Sequence, residues 1–135
     1  METIVIDKDI DLIYEQAVSL PDGVKPAHEK IHSLFPFTSE RKYFGVSRPE
    51  GGVIIYRAAV EETTQGEAER FGLPKMILKK GNYISTVVYR FMDDIPAIGT
   101  TFQQLLNSPE IDPQGYCVEW YFNRHDVRCM VRLKN

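Results

Sequence analysis

The sequence predicts an α+β fold in which two similar halves share one antiparallel sheet. Strand-like segments bounded by glycine and proline turns alternate with two short segments of helical apolar spacing. The order of strand, helix and hairpin occurs twice along the chain. The 135 residues are 43% hydrophobic, which is enough apolar material for one core. We therefore expect a single domain over residues 1–135, with halves of about 1–61 and 73–135.

The first half opens with a strand and a helix. Residues 12–19 have strand character, and Pro26 opens a helix that Pro36 ends. The helix carries apolar residues at helical spacing, namely Ala27, Ile31 and Leu34. This strand and helix are the first two elements of the repeated order.

A hairpin completes the first half. Its arms are residues 42–47 and 53–61, and Gly51 and Gly52 in the connecting loop permit the positive φ of a tight reversal. The following segment, residues 62–72, is polar and has no strong apolar period. We interpret that segment as the connection between the two halves.

The second half repeats the order. Residues 75–79 and 83–91 are predicted to form a strand pair or one bent strand, interrupted at residues 80–82. Asp94 is suited to cap the N-terminus of a helix, which ends before Pro109. The apolar stripe of this helix consists of Ile95, Ile98, Phe102, Leu105 and Leu106.

The final hairpin is predicted over residues 116–122 and 127–133. Pro26 and Pro96, each near the start of a helix, are about 70 residues apart, and this spacing supports the repeat. We expect all strands to pair in one antiparallel sheet. Both helices would cover one face of it, and the other face would be left for water or a ligand.

The apolar alternation of the final hairpin predicts its register. Trp120 would face Cys129 and Val118 would face Val131, with Trp120 in the core beneath a helix. Cys117 and Cys129 would then lie on opposite faces of the sheet, which excludes a disulfide between them. The face opposite Trp120 would carry Cys117, Glu119, Tyr121, Arg128, Met130 and Arg132.

Composition excludes several classes of partner. The formal net charge is −3 and the 16 basic residues are scattered, so neither nucleic acid nor an anionic membrane is an expected partner. The sequence has no secretory signal and no run of about 18 apolar residues, so we expect a cytoplasmic protein. Two cysteines are too few for a four-thiolate metal site, and we expect no metal or other cofactor.

The segment from His28 to His32 matches the H-E-x-x-H pattern of zinc proteases. Two histidines one helical turn apart can share a metal ion, but catalysis needs a third protein ligand. The nearest downstream acid, Glu40, lies past the break at Pro36. We therefore interpret the match as accidental and expect this part of the helix to face solvent.

Two runs of residues, together with the repeated layout, carry a family resemblance. The run Gly-Tyr-Cys-Val-Glu-Trp-Tyr-Phe at 115–122 and the run Leu-Pro-Lys-Met-Ile-Leu-Lys-Lys-Gly-Asn-Tyr at 73–83 resemble the GyrI-like effector-binding family. That family includes the ligand-binding domains of multidrug-sensing and AraC-type transcription regulators, and the resemblance covers essentially the whole chain. It implies pseudo-symmetric halves around a central cleft for apolar, often cationic aromatic compounds. It also implies that Glu119 is the cleft carboxylate, accompanied by Tyr121 and by Tyr83.

The predicted surroundings of Glu119 suit a binding site. A carboxylate partly buried beside Tyr121 and Met130 loses hydration and needs a cation or a proton. A lipophilic cation would supply the charge, and aromatic faces would add cation–π attraction. By the repeat, Phe44 and Tyr56 of the first hairpin would form the opposite wall of the cleft, although strand aromatics are more often core residues.

Three alternatives stay open. Arg128 and Arg132 lie diagonally across from Glu119 in the predicted register and would form solvated ion pairs with it. In a hydrolase of strained, toxin-like electrophiles, Glu119 would act as general acid or base. A protein-binding inhibitor of the gyrase-inhibitor type would use its surface on an unknown protein partner.

The predicted first strand leaves no room for the helix-turn-helix region that the regulators carry ahead of this domain, because it begins at residue 12. We therefore expect a stand-alone protein that binds a small molecule and makes no direct contact with nucleic acid.

Overall fold

The computed structural model describes residues 1–134. Its strands are β1 (Glu2–Ile6), β2 (Ile10–Gln16), β3 (Tyr43–Glu50), β4 (Val53–Glu61), β5 (Lys75–Leu78), β6 (Gly81–Val88), β7 (Cys117–Trp120) and β8 (Val127–Arg132). Its α-helices are α1 (Val24–Leu34), α2 (Glu67–Phe71) and α3 (Pro96–Leu105), and a 3-10 turn covers Phe91–Asp93. Within residues 1–134 no helix is both long and apolar enough to cross a membrane.

All eight strands belong to one curled antiparallel sheet. Their order across the sheet is β1-β6-β8-β7-β3-β4-β2-β5. The pairing of β7 with β3 lies at its middle, where Glu119 stands opposite Gly45 and Trp120 stands opposite Phe44. The prediction of a shared antiparallel sheet is therefore confirmed, and Glu119 lies at its centre.

Both long helices pack on the same face of the sheet. Helix α1 packs on β2 and β4, whereas α3 packs on β6 and β8. The side chain of Tyr121 contacts both of these packing clusters, so it lies where the two helical regions meet. This shared face, which also carries Glu119, is called the helical face below.

The opposite face of the sheet encloses a core of its own. The curled sheet buries side chains here, so this face is not left free along its whole length as the prediction has it. That core consists of Leu12, Phe44, Val46, Ala59, Leu78, Tyr83, Val118 and Met130. Trp120 packs against the same cluster, so it does not lie beneath a helix as predicted.

The register of the final hairpin differs from the prediction by one residue. Glu119 faces Cys129 and Trp120 faces Arg128, because residues 121–126 form a wider connection than the predicted two-residue turn. Alternation specifies register only when one face is apolar and the other polar. Here both faces are buried, so the pattern could not distinguish the two registers.

Several element boundaries also differ. Strand β1 was not predicted, and the segment interpreted as a connection contains α2. Strands β5 and β6 do not pair with each other, because β5 pairs with β2 and β6 pairs with β1 and β8. Helix α3 is capped at Ile95 and not at Asp94, whose side chain makes no capping bond. The turn at Gly51 and Gly52 is confirmed, with φ of 61° and 81°.

Candidate functional site

A glycine makes room for the Glu119 carboxylate. Gly45 is the neighbour of Glu119 on β3, and the Tyr56 hydroxyl from β4 lies over the same glycine. A Cβ atom at this position would overlap both the Tyr56 hydroxyl and Oε1 of Glu119. The absence of a side chain at Gly45 therefore allows the phenol and the carboxylate to meet above the sheet.

Two phenols donate hydrogen bonds to a single oxygen of Glu119. The Tyr56 hydroxyl donates to Oε1 over 2.7 Å, and the Tyr121 hydroxyl donates to the same oxygen over 2.5 Å. Tyr56 is buried, whereas Glu119 and Tyr121 are partly exposed. The three side chains form a cluster, two members of which are partly exposed.

The carboxylate of Glu119 has no cationic partner among residues 1–134. The alternative in which Arg128 and Arg132 form ion pairs with Glu119 is excluded: Arg128 bonds Glu2 over 2.7 Å, and Arg132 bonds Asp112 over 3.2 Å. The one-residue change of register explains this, because it puts Glu119 on the helical face, away from Arg128 on β8. The charge of Glu119 is thus offset only by hydrogen bonds.

Burial among aromatic rings raises the pKa of Glu119, and the bonds from Tyr121 and Tyr56 partly oppose that rise. The pKa values of both tyrosines lie well above their ordinary value, because burial and the Glu119 charge disfavour a phenolate. At neutral pH the phenols therefore remain proton donors. They solvate the carboxylate without neutralising it.

His28 of α1 extends the cluster. Its Nε2 lies 2.6 Å from the Tyr56 hydroxyl, and its ring meets the rings of Tyr56 and Tyr121 edge-on at 5.6 and 5.4 Å between centroids. Burial and the neighbouring His32 lower the pKa of His28 to about 4. The imidazole is therefore neutral at pH 7 and supplies no positive charge next to Glu119.

The expectation that this part of the helix faces solvent is wrong for both histidines. His32 stacks on Tyr43 at 5.0 Å and lies 6.5 Å from Phe37, while the intervening Glu29 is exposed. Within residues 1–134 no group of three or more His, Cys, Asp or Glu side chains is arranged to hold a metal ion. The two histidines act here as ring neighbours of the sheet.

Further aromatic rings stand on both sides of the cluster. Phe91, in the 3-10 turn before α3, meets Tyr121 edge-on at 5.3 Å. On the α1 side, Phe37 stacks on Tyr43 at 5.0 Å, and the Arg124 guanidinium lies 5.4 Å from the centre of the Phe37 ring. Glu119 and its two phenols thus have further aromatic rings as neighbours.

The structure separates the six predicted ligand-binding residues into two groups. Glu119, Tyr121 and Tyr56 form the hydrogen-bonded cluster on the helical face. Phe44, Tyr83 and Met130 lie in the core of the opposite face, and do not face Glu119.

The two cysteines lie on the helical face together, which corrects the prediction that they lie on opposite faces. Both pack in the cluster under α3, and both are free thiols. Burial, with a smaller contribution from the Glu119 charge, raises the pKa of Cys117 to about 11 and that of Cys129 to about 12. They are protonated at neutral pH and unsuited to act as nucleophiles.

Sequence reasoning missed two members of the site, His28 and Gly45. The H-E-x-x-H match drew attention to His28 only as a metal ligand. An isolated glycine within the strand that precedes the first turn is a signal of close approach, and Gly45 carried that signal.

A cavity of about 450 Å³ lies elsewhere, and its lining includes Trp120, Arg128 and residues 4–11. Glu119 does not line it. Arg128 is already paired with Glu2, and Glu62, another lining residue, is paired with Lys75. The cavity is bordered by several charged side chains, and it is separate from the aromatic surroundings of Glu119.

Comparison with known proteins identifies a shared fold. No family model matches the chain, and no curated protein matches it. The chain is similar in structure to the integron cassette protein VCH_CASS2 from the mobile metagenome of Vibrio cholerae. The TM-score is 0.69 and the identity 12%, over 98% of this chain and 95% of that chain. At this identity the likeness shows the fold alone.

Proposed function

We propose that this protein binds small lipophilic cations, with Glu119 as the anchor for their positive charge. The observation that carries the proposal is the uncompensated carboxylate at the centre of the sheet, held by Tyr56 and Tyr121 and bordered by aromatic rings. A cation at Glu119 would relieve the cost of burying a charge, and the rings would contribute cation–π attraction. The GyrI-like resemblance of the sequence agrees with this ligand class.

The proposal includes a central cleft between two related halves. Each of the strands β1 to β4 can be exchanged with the strand four places later in the chain. The resulting strand order is the original order read from the opposite edge of the sheet. This symmetry of order supports an approximate twofold axis between β3 and β7, next to Glu119. The cleft would lie on that axis, between the α1 and α3 regions.

Binding of tetraphenylphosphonium tests the proposal. Isothermal titration calorimetry at pH 7 is expected to show binding to the wild-type protein and an affinity at least about tenfold lower for Glu119→Gln. Tetraphenylborate has nearly the same shape and the opposite charge, and it should not bind. Comparable binding of the two ions, or unchanged phosphonium affinity in Glu119→Gln, would refute the proposal.

Glu29→Gln is the matched control variant. It removes one negative charge from α1 at an exposed position next to His28. If attraction to the net negative charge of the protein explained phosphonium binding, Glu29→Gln would weaken it as much as Glu119→Gln. We expect the affinity of Glu29→Gln to equal that of the wild type.

A further inference from the structure

The two oxygens of Glu119 differ in their hydrogen bonds. Oε1 accepts from both Tyr56 and Tyr121, which occupies both of its lone pairs. Oε2 accepts no hydrogen bond from residues 1–134. Every fully buried side-chain oxygen among these residues has a hydrogen-bond partner, so Oε2 is not fully buried. The free acceptor of the site is therefore Oε2.

His28 fixes the direction of the bond from Tyr56 to Glu119. A phenol has one proton, so when Tyr56 donates it to Oε1 the phenol oxygen accepts from Nε2 of His28. This chain from imidazole to phenol to carboxylate keeps Oε1 saturated. Without the imidazole donor, the Tyr56 hydroxyl could rotate away and Oε1 would compete with Oε2 for a ligand.

We infer that the ligand is a protonated aromatic amine that donates an N–H to Oε2 of Glu119, and that His28 is the positioning residue for this selection. The inference rests on the proposed function and narrows its ligand class. A quaternary cation satisfies the charge of Glu119 but has no N–H for Oε2. The difference of one charge-assisted hydrogen bond corresponds to about tenfold or more in affinity.

A pair of probes that differ by one methyl group isolates this bond. The first is N,N-dimethyl-2-(1-naphthyl)ethylamine, which is protonated at pH 7, and the second is its N-methylated quaternary analogue. Calorimetric titration of the full chain is expected to give about tenfold tighter binding of the amine. The ratio of the two affinities is the quantity to compare among variants.

Variants at His28 test its positioning role. His28→Leu removes the donor to Tyr56 and frees Oε1 as a second acceptor for an N–H, so the affinity ratio should rise above its wild-type value. His28→Gln supplies a side-chain amide N–H in place of Nε2, and it should restore the ratio. A merely structural role of His28 would weaken both probes equally and leave the ratio unchanged. Glu29→Gln, at an exposed neighbouring position, should keep the wild-type ratio.

The outcomes separate the inference from the proposed function. Equal wild-type affinities for the two probes, both lost in Glu119→Gln, would overturn the selection by Oε2 and leave the proposed function standing. A wild-type ratio retained in His28→Leu would overturn the role of His28. Failure of both probes and of tetraphenylphosphonium to bind the wild type would refute the proposed function itself. Circular dichroism of each variant establishes that it is folded.

Discussion

Two glutamates of this protein have opposite surroundings. Glu67, at the start of α2, receives Arg41 bidentately at 3.1 and 3.0 Å, and its Oε1 also accepts from the backbone N–H groups of Thr63 and Thr64. The bond from Arg41 is the largest cause that lowers the pKa of Glu67 to about 2. Among the described residues 1–134, Glu119 accepts only from the phenols of Tyr56 and Tyr121, and burial raises its pKa.

Of these two carboxylates, Glu67 is the one that stabilises the fold. Glu67 ties α2 to Arg41 and to the preceding loop, so its charge is fully used within the chain. The charge of Glu119 stabilises nothing comparable. A carboxylate that is kept among aromatic rings without a cation is expected where a ligand supplies one.

The largest expected effect on stability is at Glu67. Glu67→Gln leaves the partly buried Arg41 guanidinium without its carboxylate, and we expect a loss of about 2–3 kcal/mol in the free energy of unfolding. Urea denaturation followed by circular dichroism measures this. A loss no larger than that of Glu119→Gln would remove the distinction between the two carboxylates.

A substitution at Gly45 affects the site because Gly45 lies directly against Tyr56 and Glu119. Gly45→Ala places a methyl group against the Tyr56 hydroxyl and Glu119, and we expect about 1–3 kcal/mol of destabilisation together with weaker phosphonium binding. Gly99→Ala in α3 is the control. The space beside Gly99 is open, so the added methyl group causes no clash and should stabilise the helix by about 0.5–1 kcal/mol. Undiminished binding in Gly45→Ala would contradict the described geometry.

The smallest expected effect is the removal of the Glu119 charge. The pKa of Glu119 is raised above its usual 4.5 in the folded protein, so its contribution to stability is present below pH 4.5 and is lost as pH rises through the folded-state pKa. Glu119→Gln should therefore equal or exceed the wild-type stability at pH 7, by up to about 1 kcal/mol.

The contribution of this charge is isolated by measuring the unfolding free energies of the wild type and of Glu119→Gln across a range of pH and taking their difference. The other titratable groups near Glu119 are present in both proteins, namely His28, Tyr56, Tyr121, Cys117 and Cys129. For Glu67 the sign is reversed, because its contribution is present above pH 4.5 and is lost as pH falls toward 2. A wild type more stable than Glu119→Gln at pH 7 would contradict the account.

The sequence was sufficient to predict the antiparallel sheet and the two long helices, and it singled out Glu119, which lies at the centre of the sheet. Proline and glycine positions limited the helices and the turn at Gly51, because those residues restrict the backbone locally. The faces of the sheet could not be predicted. Alternation places Trp120 and Glu119 on opposite faces but does not indicate which face the helices cover when both are buried. His28 approaches Tyr56 only through the packing of α1, which no local pattern encodes.

NMR titration of the Glu119 side-chain carboxyl carbon measures whether the charge of Glu119 is offset within the folded chain. The Glu119→Gln spectrum assigns the signal by its absence. We predict a pKa above 4.5 in the free protein, and a lower pKa when tetraphenylphosphonium is bound, because a bound cation favours the ionised carboxylate. A pKa at or below 4.5 in the free protein would contradict the account, since it would mean that the charge of Glu119 is already offset, as that of Glu67 is.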